Sequence, residues 1–184
     1  MLAYVFWHWP HAGVERGDYE RLLRAFHRAL AASAPPGFWR SFVLRQESGP
    51  GLAGAAGYAD WYLVADGPAL DALERAAVSG ACRAPHDEVA HLAAGGTAAL
   101  YRRREGTPDL AAARCAVWLT KPAGTSYDEF FARLRPLATA PDRSLWQRRL
   151  TLGPGPEFCL LSPERLELPP SLAAAAASVE SIPI

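Results

Sequence analysis

Residues Tyr4–Pro10 read Y-V-F-W-H-W-P, and residues Ala116–Pro122 read A-V-W-L-T-K-P. Each is a short aromatic and β-branched run stopped by proline, the signature of a strand at its exit from a sheet. The segments downstream of the two openings are also alike. Tyr127-Asp-Glu-Phe-Phe-Ala-Arg-Leu134 matches Tyr19-Glu-Arg-Leu-Leu-Arg-Ala-Phe26 hydrophobic for hydrophobic, both at helical spacing. Leu145-Trp146 then opens a strand as Phe38-Trp39 does. The chain therefore reads as an internal duplication: a first repeat over 1–105 and a second, shorter one over 113–184, together one barrel domain.

Between the two openings the punctuation sets the element order. A helix through Tyr19, Leu22, Leu23, Phe26 and Leu30, with Asp18 placed to cap it, ends at Pro35-Pro36-Gly37. Phe38–Arg45 and Tyr58–Val64 read as strands joined by a glycine-rich hairpin. That hairpin lacks the GxxxxGK[ST] spacing of a phosphate loop and opens no helix. Pro68 starts a second helix, Pro85–Ala94 reads as a further helical stretch, and Thr97–Arg102 as the fourth strand. In the second half Phe158–Leu161 supplies the third strand after a hairpin at Gly153-Pro154-Gly155-Pro156. Pro169–Val179 reads as a short alanine-rich helix before an edge strand at Ile182–Ile184. The order β-α-β-β-α-β is the ferredoxin-like split unit. Its helices cover one sheet face and leave the other bare, so the second copy is expected to cover it. The expected fold is α+β: two ferredoxin-like βαββαβ repeats packed sheet to sheet as an α/β barrel in one chain.

This order, with its two openings, resembles the dimeric α/β-barrel superfamily, which includes antibiotic-biosynthesis monooxygenases, stress-responsive barrel proteins and EthD-like proteins. The resemblance implies a small-molecule site but chooses no chemistry. Members range from cofactor-free oxygenases and isomerases to haem enzymes and proteins without known activity. No catalytic motif of any one family stands in the sequence.

Composition excludes several classes. Half of the 184 residues are hydrophobic and 21% are charged, as in ordinary globular chains. Lys+Arg and Asp+Glu both number 19, so the electrostatic footprint of a nucleic-acid partner is missing. The cysteines, Cys82, Cys115 and Cys159, are scattered and odd in number, the pattern of reduced cytoplasmic thiols rather than a disulfide framework. No apolar run approaches the roughly 18 residues of a membrane span. The expected protein is cytoplasmic, a monomer or homodimer, and its partner a small-molecule ligand.

Strand alternation selects the candidate residues. Tyr4, Phe6 and His8 share one face of the first strand, Arg40 and Phe42 one face of the second, Tyr58, Asp60 and Tyr62 one face of the third, and Tyr101 joins them from the fourth. The opposite faces are apolar, as expected under helices, so the mixed face is expected inside the barrel. His8, Arg40 and Asp60 are the candidate catalytic set: Asp60 orienting His8 as a base, Arg40 holding an anionic or enolate oxygen. Tyr4, Phe6, Phe42, Tyr58, Tyr62 and Tyr101 are the candidate ligand contacts. A bland alternative pairs Arg40 with Asp60 across strands inside the barrel. His27 is placed at the surface or core boundary. No metal or cofactor is expected, with haem on His8, His86 or His91 as a minor alternative. Two functions stay open: a barrel that transforms an apolar or aromatic metabolite by cofactor-independent oxygenation, isomerisation or cyclisation, and a non-catalytic ligand-binding or protein-interaction barrel.

Overall fold

The computed structural model describes the chain except residues 53, 55, 150–155, 169–171 and 173. Its elements are β1 (Leu2–Pro10), α1 (Arg16–Ser33), β2 (Phe38–Gln46), β3 (Gly57–Val64), α2 (Gly67–Ala77), α3 (Gly80–Leu92), β4 (Ala93–Gly106), β5 (Cys115–Leu119), α4 (Tyr127–Ala138), β6 (Ser144–Arg149), β7 (Phe158–Ser162) and β8 (Ala174–Ile182). The eight strands close into a barrel in the order β1-β3-β2-β8-β5-β7-β6-β4, every pairing antiparallel.

Divided into two halves, the barrel is β4-β1-β3-β2 joined to β8-β5-β7-β6. Each half has the strand order of a split βαββαβ unit. The joins are β2 with β8 and β4 with β6. Among the described residues closure leaves no open sheet edge. The stretch 169–179 expected as a helix is largely strand: β8 pairs along β5 through Ala174–Ser178 and along β2 through Val179–Ile182. Closing the ring required a strand there, and alanine's helix propensity yielded to it. The predicted hairpin at 153–156 falls mostly outside the described residues.

Helix starts follow local chemistry. Asp66 accepts a hydrogen bond from the Ala69 amide, with Pro68 in the first turn of α2. Ser126 and Glu129 form a reciprocal capping box on α4. Asp18 does not cap α1: the cap position is Glu15, and Asp18 lies inside the first turn, where it favours the helix dipole.

The barrel interior is solid. Trp7, Trp61, Trp118 and Trp146 meet there, each at most 2% exposed, with Val5, Leu63, Phe42, Tyr101 and Leu161 around them. Trp7 and Trp118 ring centres lie 5.5 Å apart, and Trp61 and Trp146 5.4 Å. On β1 and β3 the apolar faces thus point inward and the mixed faces point out, under the helices, the reverse of the orientation expected for them, whereas Phe42 of β2 and Tyr101 of β4 lie inside as expected. Polar atoms are costly to bury without partners, and the interior is filled chiefly by apolar side chains, so the face with the fewest polar atoms goes there.

Candidate functional site

On β1 and β3 the outward residues are direct cross-strand partners: Tyr4 faces Tyr62, Phe6 faces Asp60 and His8 faces Tyr58. Neighbouring glycines let the backbone close around the end of β1. A Cβ on Gly57 would stand 2.4 Å from the His8 carbonyl oxygen, and one on Gly96 would stand 2.4 Å from the Phe6 ring. Helix α1 lies over this surface with Tyr19, Leu23, Phe26 and His27 turned inward.

The result is a buried polar chain centred on Asp60, itself 2% exposed. His27 Nε2 lies 3.1 Å from Asp60 Oδ2, and the Tyr62 hydroxyl donates to the same oxygen at 2.9 Å. On the other side His27 Nδ1 pairs with Ser41 Oγ at 2.7 Å, and His8 Nδ1 pairs with the Tyr19 hydroxyl at 2.7 Å. His8 Nε2 and Asp60 Oδ1 approach to 3.1 Å but out of line for a hydrogen bond. Neither has an aligned partner among the described residues. The Nε2 side of the His8 ring thus faces the carboxylate, and its Nδ1 side faces the Tyr19 hydroxyl.

Charge follows from this arrangement. Burial alone would raise the Asp60 carboxyl, but the facing imidazoles of His8 and His27 outweigh it and hold Asp60 well below the usual carboxylate range. Burial, then the Asp60 charge, pushes the Tyr19 and Tyr62 phenols up, so both keep their protons. Tyr58 is pushed up to about 12 by burial and by Glu20, whose carboxylate it approaches at 3.3 Å. Glu20 is itself buried and held by Arg45 at 2.9 Å and Arg24 at 3.1 Å.

Above this floor a cavity of about 430 Å³ opens between the sheet and helices α1, α2 and α3. Its floor carries His8, Asp60, Tyr19 and Tyr62. Its walls are mainly apolar, including Phe6, Phe26, Leu70, Leu73 and Val89, with Val78 exposed at the rim. An apolar cleft of this size with a few convergent polar groups is the usual form of a small-ligand site.

The candidate residues divide by face. Tyr4, Phe6, His8, Asp60 and Tyr62 line the cavity, and Tyr58 lies beneath it, stacked on His8 at 5.6 Å. Phe42 and Tyr101 belong to the barrel interior, where the Tyr101 hydroxyl donates to the Pro156 carbonyl. Arg40 does not reach Asp60 in either of the ways expected. It sits half-exposed at the barrel mouth, over the Phe42 ring and 3.7 Å from Asp109. A register shift between Phe38 and Arg40 marks where β2 departs from regular pairing. His86 lines the cavity while paired with Asp87, and His91 is exposed. Among the described residues no group of three His, Cys, Asp or Glu side chains forms a metal-binding cluster. No helix of these residues is long and apolar enough to cross a membrane.

Sequence reasoning missed Tyr19, His27 and Ser41. The signal was present for two of them: Tyr19, Leu23 and His27 fall at i, i+4 and i+8, one stripe of α1. His27 is fully buried, not at a boundary.

No protein-family model and no curated protein matches the chain. Solved structures do. One is a "putative monooxygenase" from Fusobacterium nucleatum subsp. nucleatum ATCC 25586, 10% identical over 98% of this chain and 91% of that one, with TM-score 0.66. Another is a "putative monooxygenase" from Lactobacillus acidophilus NCFM, 8% identical over 98% and 93%, with TM-score 0.61. The likeness is one of fold and spans nearly the whole of each chain.

Proposed function

We propose that the cavity between the sheet and helices α1–α3 binds a small, largely apolar or aromatic molecule and abstracts a proton from it. The observation that carries this reading is the Tyr19–His8–Asp60 chain at the floor of an apolar cleft, with 2.7 Å from the Tyr19 hydroxyl to His8 Nδ1 and 3.1 Å from His8 Nε2 to Asp60 Oδ1.

The proton inventory gives each residue a role. An imidazole nitrogen 3.1 Å from a carboxylate oxygen carries its proton, because a lone pair there would face negative charge. His8 Nε2 is thus protonated, and Nδ1 accepts from the Tyr19 hydroxyl. A substrate hydroxyl or acidic C–H reaching Tyr19 gives its proton to the phenol oxygen as the phenol passes its own to His8 Nδ1. The imidazolium that forms faces Asp60, which supplies the compensating charge. The half-buried Tyr4 lines the same cavity and offers a donor to the oxygen that gains charge.

Proton removal of this kind opens two reactions. The anion reprotonated elsewhere gives isomerisation or cyclisation. An electron-rich anion meeting dioxygen gives oxygenation: one oxygen atom enters as a carbonyl, and the other leaves as water with the two substrate hydrogens. The names of the two solved neighbours favour the second. The duplication read in the sequence belongs to the same proposal, supported by the shared strand order of the halves.

The test is oxygen uptake and absorbance change with a panel of polycyclic phenols and enolisable ketones. Turnover in the wild type, reduced roughly 100- to 10,000-fold in His8→Gln, is expected. Binding of 2-naphthol by calorimetry, abolished by Leu73→Trp, checks the cavity itself. Turnover untouched by His8→Gln would remove the reading. Binding without turnover across the panel would favour a ligand-binding protein instead.

A further inference from the structure

Asp60 also supports a second arrangement that the cavity reading does not use. On the far side of α1 a separate cavity of about 240 Å³ is lined by His27, Ser41, Phe38, Trp39, Arg40 and Ile184. Ser41 and His27 border it, with Asp60 behind His27: Ser41 Oγ to His27 Nδ1 is 2.7 Å, and His27 Nε2 to Asp60 Oδ2 is 3.1 Å.

The proton positions follow as they did for His8. His27 Nε2 carries the proton that it donates to Asp60, so Nδ1 holds the lone pair and Ser41 donates to it. The ring is fixed: it is fully buried and stacks on Tyr62 at 5.2 Å with 6° between planes. Tyr62 also donates to Asp60 Oδ2, anchoring the carboxylate. A hydroxyl on an oriented base, with the base held by a buried carboxylate, is the geometry of an activated nucleophile. The two ring nitrogens exchange the roles they hold in chymotrypsin, which is chemically equivalent because either nitrogen can act as base.

We propose that Ser41 is a nucleophile for acyl transfer, acting on a small carboxylic ester in this second cavity with His27 as general base and Asp60 as the orienting carboxylate. Ser41 Oγ bonds to the ester carbonyl carbon as its proton moves to His27 Nδ1. The ester C–O bond then breaks, and the alkoxide takes that proton and leaves as an alcohol. Water attacks the acyl-serine, giving its proton to His27 Nδ1. Ser41 departs with that proton, and a carboxylic acid is released. The net change is ester plus water to acid plus alcohol. Phe38, the half-exposed Trp39 and Ile184 offer apolar contact to the acyl group, and Arg40 brings a positive charge to the same cavity.

The test treats the full chain with an alkyl fluorophosphonate and reads intact mass and peptide maps. In parallel it follows hydrolysis of p-nitrophenyl butyrate. A single adduct on the Ser41 peptide is expected, absent in Ser41→Ala. The same variant should hydrolyse the ester roughly 100-fold more slowly, toward the buffer rate. Ser79→Ala, at the exposed N-cap of α3, should label and hydrolyse as the wild type does. A thermal melt of Ser41→Ala confirms that it folds. An unmodified wild type, an adduct on another residue, or a folded Ser41→Ala that hydrolyses as the wild type does would overturn the proposal.

Discussion

The two halves of the barrel share a strand order and treat its outer face in opposite ways. In β3, Asp60 sits between Phe6 and Val43; in β7, Leu160 sits between Val117 and Leu145. The same correspondence sets Leu119 where the first half has His8. Beneath α4 the surface is apolar throughout, with Phe130, Phe158, Leu134 and Leu160 all fully buried. Beneath α1 it carries a carboxylate, two imidazoles and several phenols. One half is a plain core and the other a cavity with a polar floor. The helices make the difference. The first half has α2 and α3 beside α1, roofing a cleft, whereas among the described residues α4 is the second half's only helix. Tyr19 and Tyr127 match in the sequence echo, yet Tyr19 stands fourth in α1, 1% exposed and bonded to His8, while Tyr127 is the first residue of α4, 47% exposed and bonded to Glu157.

Forcing the plain half to imitate the other should have the largest effect. Leu160→Asp buries a carboxylate among phenyl rings with no imidazole to meet it, and should destabilise by more than about 4 kcal/mol in urea unfolding. The reverse change, Asp60→Leu, leaves His8 and His27 facing an apolar group and should cost about 3–5 kcal/mol. Replacing His8, His27 and Asp60 together with leucine should recover most of that loss, which would show that the polar floor is not kept for stability. A triple variant as unstable as the single one would break this contrast.

Acid sharpens the same comparison. Asp60 titrates lower in the folded chain than its ordinary value of 3.8, so its contribution is complete above that value and is lost as pH falls below it. Urea titrations from pH 5 down to pH 2 should show a steeper loss in the wild type than in Asp60→Asn. Tyr19→Phe leaves His8 Nδ1 without its partner and should cost about 1–3 kcal/mol. The matching Tyr127→Phe, on an exposed hydroxyl, should stay within about 0.5 kcal/mol. Equal losses from the two tyrosine variants would mean that the helices are not used differently.

Much of the fold was legible in the residues. Strand openings, helix stripes and glycine-proline punctuation place nearly every element through β7. The echo between Tyr4–Pro10 and Ala116–Pro122 is out of step by one residue with the faces: it matches Val5 with Val117, but Val5 lies inside the barrel and Val117 outside. By face, Trp7 corresponds to Trp118. A period-two structure makes such a slip consequential, since it exchanges inside for outside.

The sequence by itself determined that β1 and β3 each have one apolar and one mixed face, and that His8 and Asp60 share the mixed one. Alternation is a property of the extended backbone, so no partner is needed to read it. Only the tertiary structure decided which face turns inward, that His27 and Ser41 join Asp60, and that Arg40 does not. Those outcomes depend on what packs against the sheet. The ring of strands fills its interior chiefly with apolar side chains, whereas a helix laid across the outside brings imidazole, phenol and carboxylate groups to within hydrogen-bonding distance.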